Sequence, residues 1–133
     1  MADTVTSQTI QDGGKTAVLK FTNESDGSGE SSVKKVDVSA LQADSKGRAC
    51  SSVSISRIYW ACRGMGVDIE FDATTNVLAI CLPADSTGDE YYDLFTGIPN
   101  NAGSGKTGDL DFTTVGHSDG DAYSIILVLT KHF

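Results

Sequence analysis

Short segments in which apolar and polar side chains alternate at every second residue recur along this chain of 133 residues. In the segment KTAVLKFTN, Ala17, Leu19 and Phe21 share one parity, and Lys20 and Thr22 have the other. In VDIEFD, apolar and acidic residues alternate without exception. Successive side chains of a β-strand point to opposite faces of its sheet, so this pattern predicts half-buried strands rather than helices.

The turn residues between these segments indicate how many strands there are. The chain has 14 glycines but only 2 prolines, and polar clusters such as ESDGSGE and GHSDGDA separate the apolar segments. Gly, Asn, Asp and Ser in such clusters are typical of tight turns. We therefore expect an all-β protein, an antiparallel two-sheet sandwich of eight or nine strands with a jelly-roll-like topology.

We expect a single β-sandwich domain over residues 13–133, preceded by an extended N-terminal arm over residues 1–12. A chain of this length supports one hydrophobic core. The arm begins MADTVTSQTI, which has neither the basic start nor the apolar run of a secretory signal. Because the segment is polar and has no helix cap, we expect it to become ordered only on a partner.

Several segments depart from simple alternation. The parity changes between Val33 and Val36 and again near Ser56 or Arg57, and a β-bulge would reconcile each change. NVLAICLP is apolar at both parities, which predicts a strand covered on both faces. Trp60 has the inward parity of its segment, so we expect its ring in the core. We also expect SSVKKVDVSAL and YYDLF to be strands and ADSTGDE to be a loop.

The acidic charge of the chain limits its partners. Eighteen Asp and Glu residues against 10 Lys and Arg residues give a formal net charge of -8. Binding to nucleic acids and to anionic lipids depends largely on Lys and Arg. The longest apolar run, residues 125–129, is much shorter than the roughly 20 residues that span a bilayer. We therefore expect neither a nucleic acid nor a membrane as a partner.

The residue types that carry catalysis and metal binding do not form a recognisable pattern. The three cysteines lack C-x-x-C spacing, and we expect them to be reduced and buried. Two histidines are too few for a multi-histidine metal site, and no G-x-S-x-G elbow is present. We expect a protein that is not an enzyme and has no cofactor. A calcium site stays open if acidic loops converge, the pairs being Asp85/Asp89, Asp109/Asp111 and Asp119/Asp121.

The sequence GSGKT at residues 103–107 matches the core of the phosphate-binding loop of nucleotide hydrolases. That motif requires another glycine five residues before Gly105, where this chain has Asn100. It also requires a helix after the lysine, whereas the following GDLDFTTV alternates as a strand does. The segment is therefore expected to be an irregular loop between two strands.

The second half of the chain resembles a group of small virion structural proteins of tailed bacteriophages. The shared motifs are a Trp ahead of a strand that ends in FDAT, the loop GIPNNAGSGKTGD, the strand FTTVG and the closing strand GDAYSIILVLTK. They lie at Trp60 and at residues 71–74, 97–109, 112–116 and 120–131. The resemblance covers residues 55–131, and proteins of this kind include capsid decoration or cement proteins.

The resemblance implies a protein that binds the major capsid protein on the outer surface of the phage head, stabilising the shell after assembly in the host cytoplasm. It further implies a homo-oligomer, a dimer or a trimer. An acidic surface suits the outside of a shell better than its DNA-filled interior. The expected contact residues are Thr4, Val5, Gln8, Ile10, Tyr91, Tyr92, Asn100, Asn101 and Lys106.

Two other functions are open alternatives at this point. A head-completion or tail-associated virion protein would share these sequence features but would be present in few copies per particle. A carbohydrate-binding module would instead use Tyr91 and Tyr92 to stack on a sugar beside the acidic loops. These alternatives differ in copy number and in glycan binding, both of which can be measured.

Overall fold

The computed structural model describes residues 3–92 and 97–133, which form an antiparallel β-sandwich. The strands are β1 (Thr4–Asp12), β2 (Thr16–Glu24), β3 (Val33–Val36), β4 (Ser52–Arg63), β5 (Gly66–Phe71), β6 (Val77–Leu82), β7 (Thr87–Tyr91), β8 (Leu110–Val115) and β9 (Ala122–His132). A single 3₁₀ turn, Val38–Ala40, follows β3 in this part of the chain. No described helix has the length and apolar character needed to cross a membrane. The expected all-β sandwich is confirmed.

The strand order is that of a jelly roll with one additional edge strand. The larger sheet has the order β1-β2-β9-β4-β7, and the smaller sheet has the order β3-β8-β5-β6. Every strand pair is antiparallel. Without β1, the remaining eight strands divide into two interleaved sheets of four, as in a double-sheet jelly roll. β1 extends the larger sheet beyond that arrangement.

The hydrophobic core lies between the two sheets and follows the alternation of the sequence. Along β9, every second residue from Tyr123 to Leu129 is buried, and the residues that alternate with them are only partly covered. Phe112 of β8 contacts the rings of Phe21 and Tyr123 edge to face, with centroids 5.3 and 5.9 Å apart. Such edge-to-face contacts are favoured by the charge distribution of aromatic rings. The most apolar segment is thus the central strand of the larger sheet.

Both predicted bulges are present. The register of β4 against β9 shifts between Ile55 and Arg57, and that of β3 against β8 shifts between Lys34 and Val36. An extra residue at each bulge turns the following side chains to the other face of the sheet. As a result, Ile55 and Ile58 are both fully buried although their parities differ.

Two of the predicted strands differ from the structure in extent. The strand expected to reach Ala40 ends at Val36, because Asp37 accepts a hydrogen bond from the Ser39 amide and begins the 3₁₀ turn. The prediction of a loop at ADSTGDE is wrong for the second half of that segment, since β7 has the sequence TGDEY. The rest of the strand predicted at YYDLF falls largely on residues 93–96, which lie outside the described residues.

The apolar segment NVLAICLP is not covered on both faces. β6 is an edge strand of the smaller sheet, and Leu78 is 52 % exposed there. Trp60 lies at the margin of the core, where its ring covers Gly88 of the neighbouring strand and its indole N–H donates to Ser86 Oγ at 3.0 Å. A Cβ atom on Gly88 would lie 2.3 Å from this ring, so a glycine is needed opposite the tryptophan.

The expectation of an N-terminal arm separate from the domain has to be corrected. Residues 4–12 form β1, which pairs with β2 from Thr4 opposite Glu24 to Asp12 opposite Ala17. The pairing is interrupted only by a bulge between Thr9 and Gln11. The segment is extended, as expected, but it is hydrogen-bonded to its own sandwich without any partner.

Candidate functional site

β1 is the outermost strand of the larger sheet, and one side of its backbone has no partner strand among the described residues. Its residues from Thr4 to Gln11 are exposed, and none of them carries a charge. Edge strands of natural proteins are usually short or carry Lys or Pro, which prevents them from pairing with other chains. Ahead of the bulge that follows Thr9, this edge has neither Lys nor Pro, so it is a surface that can accept another strand.

Asp3 fixes the beginning of β1 to the loop that follows β2. Its carboxylate accepts hydrogen bonds from Asn23 Nδ2 at 3.1 Å and from Ser25 Oγ at 3.4 Å. The backbone amides of Asp26 and Gly29 also donate to it, each at 3.2 Å. Hydrogen bonds to a carboxylate are stronger than those between neutral groups. Donors from this one region therefore hold this end of the strand in place.

Asp12 fixes the other end of β1 through a buried ammonium group. The Lys131 side chain is fully buried, and its Nζ donates to Asp12 Oδ1 and to the carbonyl oxygens of Gly13 and Gln42. The Gln42 amide donates to the second oxygen of Asp12 at 2.9 Å. β1 is therefore anchored at both ends, so it would lose less conformational entropy when a partner strand binds.

A groove lies beneath β1, between the edges of the two sheets. β3 has only four residues, so the inward side chains of Ser7 and Thr9 are not covered by the smaller sheet. The groove has a volume of about 190 Å³, and Leu19 and Phe21 of β2 form part of its lining. β1 is consequently exposed on both of its faces as well as along its outer edge.

The outer face of the larger sheet carries an aromatic and apolar patch toward its other edge. The pairing of β4 with β7 and β9 places Tyr59 beside Ile126, and Arg57 between Val128 and Tyr91. Tyr59 is 46 % exposed and Tyr91 is 64 % exposed. These five residues are called the outer-face patch below. A shallow hollow of about 250 Å³ lies within it.

Arg57 is held against this patch by Asp89 of β7. Its Nε and Nη2 donate to the two carboxylate oxygens at 2.9 and 2.7 Å, and its guanidinium carbon lies 6.0 Å from the centroid of the Tyr91 ring. The hydrogen bond to Asp89 raises the pKa of Arg57, and the same contact lowers the pKa of Asp89. Tyrosine and arginine are enriched at protein interfaces. The patch has that composition, and Asp89 balances the charge of its arginine.

Backbone hydrogen bonds attach the start of the loop at residue 97 to β4. Ile98 exchanges two backbone hydrogen bonds with Ile55, at 2.8 and 3.1 Å. Gly97 has a positive φ of 93°, and a Cβ atom there would lie 2.7 Å from the Ile55 carbonyl oxygen, so only glycine fits. The Asn100 side chain turns back and accepts a hydrogen bond from the Ala102 amide at 2.9 Å.

The GSGKT segment is a loop that precedes a strand, as predicted. Thr107 Oγ1 donates to Asp72 at 2.7 Å, and Gly105 lies directly against Thr74. β8 begins at Leu110, where a phosphate-binding loop would continue into a helix. The threonine and the glycine thus attach this loop to the turn between β5 and β6.

The nine predicted contact residues lie in three separate places. Four are on β1, two are at or next to β7, and three are in the loop after residue 97. β1 and β7 are opposite edges of one sheet, four strand spacings or about 19 Å apart. Tyr91 is exposed and Tyr92 is partly buried, whereas Asn101 and Lys106 are exposed. The structure does not bring these residues together into one site.

Of the five residues of the outer-face patch, only Tyr91 is among the predicted contact residues. Tyr59 has the parity opposite to Trp60 in the same strand, so its outward direction could have been inferred. Arg57 follows the bulge, and its position depends on the register of three strands. No local sequence signal indicates that it would pair with Asp89.

The acidic pairs considered for calcium are engaged in local contacts. Asp85 accepts a hydrogen bond from the Gly64 amide at 2.7 Å, and Asp121 accepts one from the Ser118 amide at 2.8 Å. Across residues 3–92 and 97–133, no group of three or more Asp, Glu, His or Cys side chains is arranged to hold a metal ion. The carboxylates stabilise turns and strand pairs instead.

Asp111 on β8 is a buried carboxylate in an unfavourable setting. Its Oδ2 accepts a hydrogen bond from Asn76 at 3.0 Å, but its Oδ1 is buried and has no hydrogen-bond partner among the described residues. Burial is the main reason that the pKa of Asp111 is raised to about 6, and the neighbouring carboxylates of Asp72 and Glu70 add to the effect. The folded state thus holds this proton more tightly than the unfolded chain does.

We expect Asp111→Asn to stabilise the fold at neutral and higher pH. The contribution of Asp111 to wild-type stability falls as pH rises from about 4 through 6, because its folded pKa is raised from 3.8 to about 6 and folding then requires a buried charge. The variant should gain about 1–2 kcal/mol at pH 8 and almost nothing at pH 4. Urea unfolding at both pH values measures the difference, with Asp119→Asn in an exposed turn as the control. A variant no more stable than wild type at pH 8 would refute this account.

Comparisons with known proteins do not assign the chain to a family. No protein-family model, no curated protein and no solved structure gives a significant match. The resemblance of its motifs and the surfaces described above are therefore what supports a function.

Proposed function

We propose that this chain is a non-enzymatic virion structural protein, a capsid decoration or cement protein that binds the outer surface of a phage head. The motif resemblance over residues 55–131 supports the virion setting. The outer-face patch is the observation that carries the adhesive role, because two exposed tyrosines and an arginine lie together on one sheet face. The expected partner is the major capsid protein.

The position of the outer-face patch favours binding. Its residues project from β4, β7 and β9, and β9 is hydrogen-bonded to a strand on each side. A surface built on paired strands loses little conformational freedom when a partner binds. Arg57 is already paired with Asp89, so covering the patch does not bury an unpaired charge.

The opposite face of the sandwich has a different character. Asp68 and Glu70 of β5 lie on the solvent side of the smaller sheet, in a chain with a net charge of -8. Acidic side chains on this face disfavour contact with DNA and with other acidic chains. Binding through the outer-face patch would therefore turn this acidic face away from the shell.

Co-sedimentation of the purified chain with shells that lack it tests the proposal. We expect Tyr91→Ala and Tyr59→Ala each to weaken binding by about 10-fold to 30-fold, as is typical of interface tyrosines. Leu78→Ala on β6 is the matched control, since this residue is 52 % exposed but lies on the other sheet. Folding of each variant is checked by its urea midpoint. Folded tyrosine variants that bind like wild type would rule out this surface.

A carbohydrate-binding module is the second candidate, and the exposed Tyr59 and Tyr91 rings beside the hollow are the observation that favours it. Aromatic faces of this kind can stack on sugar rings. A glycan array with wild type and Tyr91→Ala separates the two functions. Glycan binding that depends on Tyr91, together with no binding to shells, would replace the capsid proposal.

A further inference from the structure

We infer that β1 is a self-association edge, at which two copies of this chain pair β1 with β1 in antiparallel orientation. The pairing would join two five-stranded sheets into one continuous sheet of ten strands about a two-fold axis. It involves the edge opposite to the outer-face patch, so it does not use the surface proposed to bind the shell. The partner is a second copy of the same chain.

The backbone of β1 provides the first argument. Its outer edge presents unpaired peptide groups over nine residues, and such groups form a hydrogen-bonded ladder with any added strand. Asp3 and Asp12 already hold both ends of the strand, so its geometry is set before a partner arrives. A partner strand therefore gains hydrogen bonds without first having to order β1.

Charge is the argument for a second copy as the partner. Two chains with a net charge of -8 repel each other over most approaches, but residues 4–11 are uncharged. Antiparallel pairing about a two-fold axis sets this neutral segment against itself, so no like charges face each other. Asp3 and Asp12, the carboxylates that flank this segment in the sequence, accept hydrogen bonds from donors of their own chain. A basic partner would find no free acidic group along this edge of the described structure.

The side chains of β1 fit such a pairing. Thr6 and Gln8 lie on the outer face, opposite Thr22 and Lys20 of β2. Small and β-branched residues such as those of TVTSQT form good cross-strand pairs. Among the described residues, no strand pairs with the outer side of β1.

The inference is tested by placing like charges on both sides of the two-fold axis and then opposite charges. In Thr6→Lys/Gln8→Lys, lysines of two copies face each other whether Thr6, Ser7 or Gln8 lies at the axis, and the same holds for Thr6→Glu/Gln8→Glu. We expect sedimentation velocity to show a dimer for wild type, a monomer for each double variant, and a dimer again for their equimolar mixture. Thr87→Lys on the opposite edge strand is the control and should remain dimeric.

Three results would overturn the inference. They are a wild-type chain that is monomeric at its highest soluble concentration, a wild-type trimer, and double variants that stay dimeric. The urea midpoint of each variant shows whether it is folded. The oligomeric state separates the two proposals, since Tyr91→Ala should bind shells more weakly and stay dimeric. The lysine variant should be a monomer that still binds shells, only less tightly because it is no longer bivalent.

Discussion

Replacing Lys131 with methionine is expected to lower the free energy of unfolding by about 3–5 kcal/mol. The Lys131 ammonium is fully buried and donates to Asp12 and to the carbonyl oxygens of Gly13 and Gln42. Methionine fills most of the same volume but leaves a carboxylate and two carbonyl groups without their donor. Buried polar groups that lose a partner cost more than the hydrogen bond itself contributed.

Urea unfolding measures this loss, and Lys131→Met/Asp12→Asn is the matched control. The introduced asparagine would keep an acceptor for the Gln42 amide but would remove the unpaired charge. The double variant should therefore recover about 1–2 kcal/mol relative to Lys131→Met alone. A single variant within about 1 kcal/mol of wild type would show that the ammonium does not anchor β1.

Glu30→Gln is expected to have a comparable effect, about 3–5 kcal/mol, at the other side of the sandwich. Glu30 Oε2 lies 2.5 Å from Lys35 Nζ, and both side chains are only 6 % exposed. Its Oε1 accepts a hydrogen bond from the buried Tyr123 hydroxyl at 2.6 Å. Glutamine keeps that hydrogen bond but removes the charge, so Lys35 becomes a buried cation without a counterion.

Tyr123 shows how closely this ion pair is connected to the core. Its ring packs edge to face on Phe112, while its hydroxyl donates to Glu30. Burial, and next the hydrogen bond to Glu30, raise the pKa of Tyr123, so the hydroxyl remains a donor at physiological pH. The isosteric glutamine variant therefore changes the charge opposite Lys35 and leaves the aromatic packing in place.

The control for Glu30→Gln is Asp89→Asn, which breaks the exposed ion pair with Arg57. The side chains of that pair are 50 % and 43 % exposed, and such pairs contribute at most about 1 kcal/mol. In addition, Glu30→Gln/Lys35→Met should be more stable than Glu30→Gln, because it removes the unpaired cation. Equal losses for Glu30→Gln and Asp89→Asn would contradict the distinction between buried and exposed pairs.

The sequence predicts correctly those strands that are buried on one face. The predictions are wrong for strands that are exposed on both faces or that lie at the edge of a sheet. β5 and β9 alternate because one face of each strand meets the core. β1 has the sequence pattern of an unpaired arm, polar at both parities, because it is exposed on both faces. β6 has the opposite pattern, apolar throughout yet exposed at Leu78, because it lies at an edge. Alternation in the sequence therefore indicates that one face of a strand is buried. It does not indicate whether the backbone of that strand is paired.

The candidate surfaces depend on contacts between residues far apart in the sequence. Arg57 meets Asp89 and Tyr91 only because β4 and β7 pair in a particular register. Likewise, Asp12 and Lys131 are separated by 119 residues along the chain and meet where β9 ends beside the β1–β2 hairpin. No local motif encodes such pairs. Parity in the sequence indicates the exposed direction of Tyr59, but it does not indicate its partners.

Under the proposal that a tailed phage encodes this chain, quantitative mass spectrometry of that phage's purified virions tests the central claim most directly. The molar amount of the chain is compared with that of the major capsid protein. A shell-binding protein should be present at one copy per capsid protein or at a simple fraction of that number. A handful of copies per particle would place it in the neck or tail, and its complete absence would contradict a role in the virion.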